Sequence, residues 1–289
     1  MRHRPVNFLA SIVLATYTLL VLLPGIATAE PVLQKINRTG KFTAGTRTSS
    51  IPFAYINEKK EWVGFSVDLI NEIHRRIERN FGKKIKLELK EVTPENRIQM
   101  VADGTVDIEC GSTTYTRSRD ETVDFSINFF FSSAQLLIKA DGPIKEPKDI
   151  QGKRIGVARG TTTEKLIRTK LPQTNVVLVQ DHSEGFEALQ EGKIDAYASD
   201  GILLAGLAIE TGKKETFKIV GAFSFEPYSC ILPENDSKWR DLVNHTFMEM
   251  IENGTYFELY DKWFGKNGVV PYQMPPEAKF LTLMQVMPR

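Results

Sequence analysis

The chain has 289 residues, 42% hydrophobic and 25% charged, which suits one large domain or two lobes of ordinary size. Its 37 Lys+Arg nearly balance its 36 Asp+Glu, so no basic surplus supports nucleic-acid binding. Two cysteines and four scattered histidines offer no zinc-like spacing and no metal site.

Residues 1–29 stand apart. Arg2 and Arg4 come first, an apolar run follows from Phe8 to Ile26 with Pro24-Gly25 inside it, and Ala27-Thr28-Ala29 closes it. A positive start, an apolar middle and an A-x-A end predict a cleaved secretory signal peptide, and hence an exported protein. The competing reading is an uncleaved membrane anchor, since the run is long enough to span. No cysteine stands at the junction, which argues against a lipid anchor there. Without Arg2 and Arg4 the balance is 35 basic against 36 acidic side chains, a net −1. Cys110 and Cys230 both lie in the exported part, where an oxidising compartment favours a disulfide over two buried thiols. A loop of that length would stabilise by ~4–5 kcal/mol on the chain-entropy model.

KFTAGT (41–46) predicts a strand. The segment GFSVDLINEIHRRIERNFG puts Leu69, Ile70, Ile73 and Ile77 on one helical face. KIKLEL (84–89) alternates as a strand does, PENRIQMVADG opens on proline and closes on glycine as a helix does, and TVDIEC is the next strand. Such alternation predicts an α/β fold with a largely parallel sheet covered by helices on both faces. The second half repeats it: KRIGVA (153–158), TTEKLIRTKL, NVVLVQ, SEGFEALQEG and KIDAYAS read strand, helix, strand, helix, strand. MVADGTVDIECGS (100–112) and ALQEGKIDAYASD (188–200) share one order: helix, Gly, β-branched residue, Asp, strand, polar turn. This echo suggests two similarly built lobes.

SSAQLLIKADG (132–142) and EPYSCILPEN (226–235) are extended without a helical period and are read as crossing strands. The expected partition is residues 30–138 and 229–289 in lobe 1 and residues 139–228 in lobe 2. The helices over 236–264 then return to lobe 1. The tail 266–289, with Pro271, Pro275 and Pro276, reads as an extended segment packed on one lobe.

Ligands of open α/β sheets bind beyond the carboxyl ends of strands, and polar groups stand there in this chain. Arg47 follows the first strand, and Ser112 and Thr114 follow TVDIEC. Arg119 can fold back to the same turn, where its planar fork of donors would suit a carboxylate. The alternative is a capping turn, with Arg119 paired to Asp120 or Asp124. In RGTTTEKL, Thr162 or Thr163 stands at a helix start, where free N–H groups attract anions or the hydroxyl simply caps. His182 in DHSEGF reads as a loop residue before a helix, and such a residue is usually solvated. Asp200 in YASDG could hold an ammonium or cap the helix GILLAG.

Together, GTRTSSIPFAY, VGFSVDL, ENRIQMVADGTVDIECGSTT, the Arg119 before VDFS, RGTTTE, DHSEGF, SDGILLAG, EPYSCIL and YDKWF carry a resemblance. Spread over about residues 33–265, they resemble the periplasmic solute-binding proteins of polar amino-acid ABC transporters, family 3. The closer match is to the glutamate/aspartate-binding branch. The resemblance implies a type II periplasmic-binding-protein fold: two α/β lobes joined by two crossing hinge strands that close on a ligand. It implies a monomer that binds an amino acid without a cofactor and hands it to a membrane permease.

By the same resemblance, Arg119 with Ser112 and Thr114 would hold the α-carboxylate, helped by Thr162. Asp200 would hold the α-amino group, and Arg47, Arg97 and His182 would surround a side-chain carboxylate as three potentially cationic groups. A Cys110–Cys230 pair fits that branch too. Pro94 departs from the pattern, because a hydroxyl residue is expected two before the asparagine of ENR. Glutamine, asparagine or another dicarboxylic compound therefore stays open as ligand. A rival class is a dehydratase of the same fold acting on a cyclohexadienyl carboxylate, with His182 or a nearby carboxylate as general acid. A sensor-linked binding role is the third reading.

Overall fold

In the computed structural model, which describes residues 30–286 apart from 211 and 213, two five-stranded sheets are joined by a two-stranded ribbon. The signal-peptide reading of residues 1–29 lies outside the described residues.

In the first sheet, Lys41–Thr46 sits between Lys86–Glu91 and Ile108–Glu109 and runs parallel to both. Ile231–Leu232 then pairs antiparallel with Ile108–Glu109 and with Asp124–Phe125. The second sheet has the same beginning: Arg154–Ala158 lies between Asn175–Val179 and Ala196–Asp200, all parallel. Ala134–Lys139 and Phe217–Val220 complete it in antiparallel fashion. Parallel neighbours need a crossover element, and the helices Phe65–Phe81 and Arg97–Ala102 supply it in one lobe, Thr162–Lys170 and His182–Gln190 in the other. This is the two-lobe α/β fold expected from the sequence.

The ribbon pairs Phe130–Ser132 with Glu226–Tyr228. Most of SSAQLLIKADG is therefore not a crossing: Ala134–Lys139 is an interior strand of the second sheet, with Leu136, Leu137 and Ile138 buried. A strand covered on both faces loses its alternation and reads like a connector. We accordingly place the lobe boundaries at the ribbon, ahead of residue 139 on the outward crossing.

The echo has a structural basis. Gly104 and Gly192 both take positive φ, +73° and +74°, after their helices. Asp107 and Asp195 follow, and each accepts a backbone N–H from the neighbouring parallel strand, Thr43 and Arg154, at 2.8 Å.

An aromatic cluster seats the ribbon on lobe 1. Phe130 lies 4.9 Å from Phe53 and 5.0 Å from Phe264, ring centre to ring centre, and Tyr228 lies 5.3 Å from Phe53. Burying each such ring contributes about 1.5–3 kcal/mol. The tail is not simply extended: it forms the helix Pro276–Leu283. Beyond that helix, Gln285 accepts from the Asn128 backbone N–H at 2.7 Å and donates to the Asn128 carbonyl at 2.8 Å. Cys110 and Cys230 form a disulfide with Cα atoms 4.3 Å apart, tying the end of one central strand to the return crossing.

Candidate ligand site

The turn after Ile108–Glu109 is held from outside. Tyr115 N–H donates to the Pro227 carbonyl at 2.8 Å and Ser229 N–H to the Thr113 carbonyl at 3.1 Å, so the return strand fixes Gly111–Thr114. Both alternatives for this turn contribute. Thr116 caps the short helix Arg117–Asp120, accepting from Arg119 N–H at 3.3 Å. The Arg119 side chain nevertheless turns inward, with Nη1 donating to the Thr114 carbonyl at 2.8 Å and Nη2 to the Gly160 carbonyl of the other lobe at 3.2 Å. Asp120 and Asp124 take other partners, Tyr115 and Arg240.

Arg97 opens its helix and is buried, donating to the Ser112 carbonyl at 3.2 Å, while its Nε has no hydrogen-bond partner. Its approach is set by Thr93 and Asn96. Asn96 accepts from Thr93 N–H at 2.8 Å, Thr93 Oγ1 accepts from Asn96 N–H at 3.2 Å, and the Thr93 carbonyl accepts from Arg97 N–H. Thr93 is thus occupied in shaping the turn. Arg47 is buried just beyond its strand, and its carbonyl accepts from Trp62 Nε1 at 3.1 Å. Burial, then the neighbouring charge of Arg97, lowers Arg47 to about 10 and Arg119 to about 9. Both stay charged at neutral pH.

On the second lobe, Thr161 caps its helix by accepting from Glu164 N–H at 3.0 Å, which leaves Thr162 free to face the cleft. Thr162 Oγ1 donates to Glu226 at 2.9 Å and stands 3.5 Å from Thr114 Oγ1. His182 is not a solvated loop residue. It is the first residue of its helix, 3% exposed, with Nδ1 2.8 Å from the Tyr197 hydroxyl. Burial and the charges of Arg47 and Arg97 push it down to about 3, so the ring is a neutral hydrogen-bonding group rather than a third cation. Asp200 takes a partner other than the following helix: Oδ2 accepts from the Tyr228 hydroxyl, and Oδ1 is buried without a hydrogen-bond partner. Burial, then Glu226, raises Asp200 to about 7.

Hydrogen bonds and charge interactions thus link Arg47, Arg97, Thr114, Arg119, Thr162, His182 and Asp200, and Ser112 joins them through its carbonyl. Two buried acids, Glu109 and Glu226, belong with them and were missed, because each stands in an extended stretch where an acid usually faces water. Several buried polar atoms without partners collect here: Thr46 Oγ1, Ser50 Oγ, Arg97 Nε, Glu109 Oε1 and Asp200 Oδ1. Buried polar groups are normally satisfied, so this grouping marks a place built for a polar guest.

The lobes meet on both sides of the cleft. Gly160, at φ +76°, approaches Pro94 and Glu95 so closely that a Cβ would stand 2.9 Å from Glu95 Cα. Gly206 lies under Ile51, whose carbonyl would be 2.4 Å from an added Cβ. Arg159 and Glu95 pair across the gap at 3.7 Å.

Residues 42–266 match the sequence profile of the bacterial extracellular solute-binding proteins, family 3. A glutamate/aspartate import solute-binding protein of Salmonella typhimurium is 34% identical over 253 residues, 86% of this chain and 83% of the relative. An ABC transporter glutamine-binding protein of Bacillus subtilis is 30% identical over 237 residues, 81% of this chain and 85% of the relative. The solved structure of an ancestral arginine-binding protein bound to arginine superposes with a TM-score of 0.71 at 30% identity, covering 78% of this chain and 99% of that one. With the matched stretch running from the first strand through the last helix before the tail, this chain belongs to family 3 of the bacterial extracellular solute-binding proteins.

Proposed function

We propose that the chain is the extracytoplasmic solute-binding protein of an amino-acid ABC transporter and that its ligand is an acidic amino acid, L-glutamate or L-aspartate. The observation that carries this reading is the convergence of two buried guanidiniums, Arg47 and Arg97, and the partly exposed guanidinium of Arg119 opposite Asp200 with its unpartnered oxygen. Two carboxylates and one ammonium match that layout. The Arg119 fork, the Thr114 and Thr162 hydroxyls and the Ser112 turn take the α-carboxylate. Asp200 Oδ1 takes the ammonium. Arg47 and Arg97 take the side-chain carboxylate, and His182 adds its Nε2 face, since Nδ1 already serves Tyr197.

A ligand touching both lobes favours the closed form by its differential contacts, and the closed form is what a permease would receive. Export through a cleaved leader and action as a monomer are part of the same reading. The chain is a binding protein rather than an enzyme: its relatives named above are binding proteins, and a neutral His182 is a poor general acid. Glutamine is the second reading, favoured by that neutral histidine and by the glutamine-binding relative. Calorimetric titration of residues 30–289 with L-Glu, L-Asp, L-Gln, L-Asn and L-Arg, after refolding to strip carried-over ligand, decides between them. One-to-one binding of L-Glu or L-Asp below millimolar, at least about 100-fold tighter than L-Gln, is expected. Preference for L-Gln or L-Arg would overturn the side-chain assignment.

A further inference from the structure

Glu109 is fully buried at the end of its strand and has no assigned contact with the ligand. Two glycines make room for it. A Cβ on Gly111 would stand 2.3 Å from Glu109 Oε1, and one on Gly45 would stand 3.4 Å from its Cβ and Cγ. Oε2 accepts from the Thr113 hydroxyl at 2.7 Å, while Oε1 has no hydrogen-bond partner. Burial, the largest effect, leaves the carboxyl raised above its ordinary range, and Arg97, Thr113, Arg47 and Arg119 offset part of that rise in favour of the ionised form.

Glu109 is the carboxylate whose charge reaches all three arginines. Asp200 reaches Arg97 and Arg119, Glu226 reaches Arg119, and Asp181 reaches Arg47. Glu226 is engaged by the Ser224 and Thr162 hydroxyls on the ribbon side. The remaining polar neighbours are neutral: His182 and the hydroxyls of Tyr197 and Tyr228. Three guanidiniums crowded together without a counter-charge would repel one another and bear an uncompensated desolvation cost. With Glu109 ionised, the arginine group carries a net charge equal and opposite to that of two ligand carboxylates. Asp200 is left to match the ammonium.

We propose that Glu109, buried beside Arg47 without pairing to it, is a positioning residue that acts through the arginine group: by setting the net charge of that group it sets which ligand charge the closed cleft accepts. This rests on the acidic-amino-acid reading of the site. A merely structural acid would weaken every ligand alike when replaced. A charge-setting acid changes their order.

The test is titration of wild type, Glu109→Gln and Glu109→Asp with L-Glu and with L-Gln at pH 8.5, with melting curves run alongside. Glu109→Gln should raise the ratio of L-Gln to L-Glu dissociation constants about tenfold, the scale of one buried charge at an effective dielectric near 20. Glu109→Asp should keep the wild-type ratio even where both affinities fall. A ratio that stays within twofold in Glu109→Gln overturns the proposal.

If Glu109→Gln does not fold, wild type alone still decides. L-Glu titrated in buffers of different ionisation enthalpy should show well under half a proton taken up at pH 8.5, the share left by Arg119 at about 9. Uptake of a whole proton would mean that the arginine group is not balanced as stated, and would overturn it. If wild type binds no acidic amino acid, the ligand reading falls and this inference with it. If wild type binds L-Glu and the ratio does not move, the role of Glu109 falls alone.

Discussion

Asp107 in one lobe and Asp195 in the other make the same hydrogen bond to a neighbouring strand, and the lobes can be compared outward from there. Glu109 and Tyr197 occupy matching places on the two strands, and so do Ser112 and Asp200 at their ends. Arg97 and His182 each open the preceding helix. In lobe 1 the pair is ionisable, a guanidinium within reach of a carboxylate's charge. In lobe 2 it is neutral, an imidazole on a phenol at 2.8 Å. One backbone device is thus used twice, and the polarity lives in the side chains mounted on it. On the proposed reading, backbone geometry decides where a guest sits and the lobe 1 charges decide which guest.

The sharpest way to break this comparison is Arg119→Ala. A buried ligand carboxylate without its charged partner costs about 3–5 kcal/mol, so affinity for L-Glu should fall about 100-fold or more by calorimetry. A change within twofold would mean that the α-carboxylate is not bound by lobe 1.

Lowering the pH probes the charge on lobe 2. Asp200 titrates near 7, and an ammonium pairs with its ionised form. Protons therefore compete with ligand: affinity is full above pH 7 and should fall roughly tenfold per unit below it. His182, down at about 3, adds no titration between pH 5 and 8. Asp200→Asn should flatten the profile; a slope that survives in that variant would assign it elsewhere.

Gly206→Ala separates the closed contact from either half-site. Alanine is the better helix former by about 1 kcal/mol, so the melting temperature without ligand should hold or rise slightly. The added Cβ meets the Ile51 carbonyl, so L-Glu affinity should drop about tenfold. Equal losses in melting temperature and affinity would mean that Gly206 serves the helix and not closure. The smallest effect belongs to Arg159→Ala: its pairing with Glu95 is exposed on both sides, and affinity should change less than about twofold.

The legible parts of the site were those with local consequences. Arg119 lies a few residues from the turn it serves, and Gly-Thr-Thr before a helix announces a terminus whichever threonine caps it. His182 reads as a solvated loop residue because the groups that meet it, Tyr197 by a hydrogen bond and Arg47 and Arg97 by their charge, are brought to it only by the fold. Glu109 hid for a related reason. Its strand is only Ile108–Glu109, too short for an alternation that would flag an inward acid. The outward crossing is hard to place from sequence because Leu136, Leu137 and Ile138, all buried, carry no period to separate a sheet strand from a linker.

The Cys110–Cys230 bond has a consequence for the connectivity of the chain itself. Both ends of the link lie in lobe 1, and everything between them, including all of lobe 2, becomes a covalently closed ring hung from one clasp. A protease nick anywhere in that ring leaves a single molecule until the link is reduced. Lobe 1 is spliced together without lobe 2, so its two chain segments stay neighbours even while the ring is unfolded. The chain can then mend from the clasp outward, with the Gly111–Thr114 turn already beside the strand that positions it.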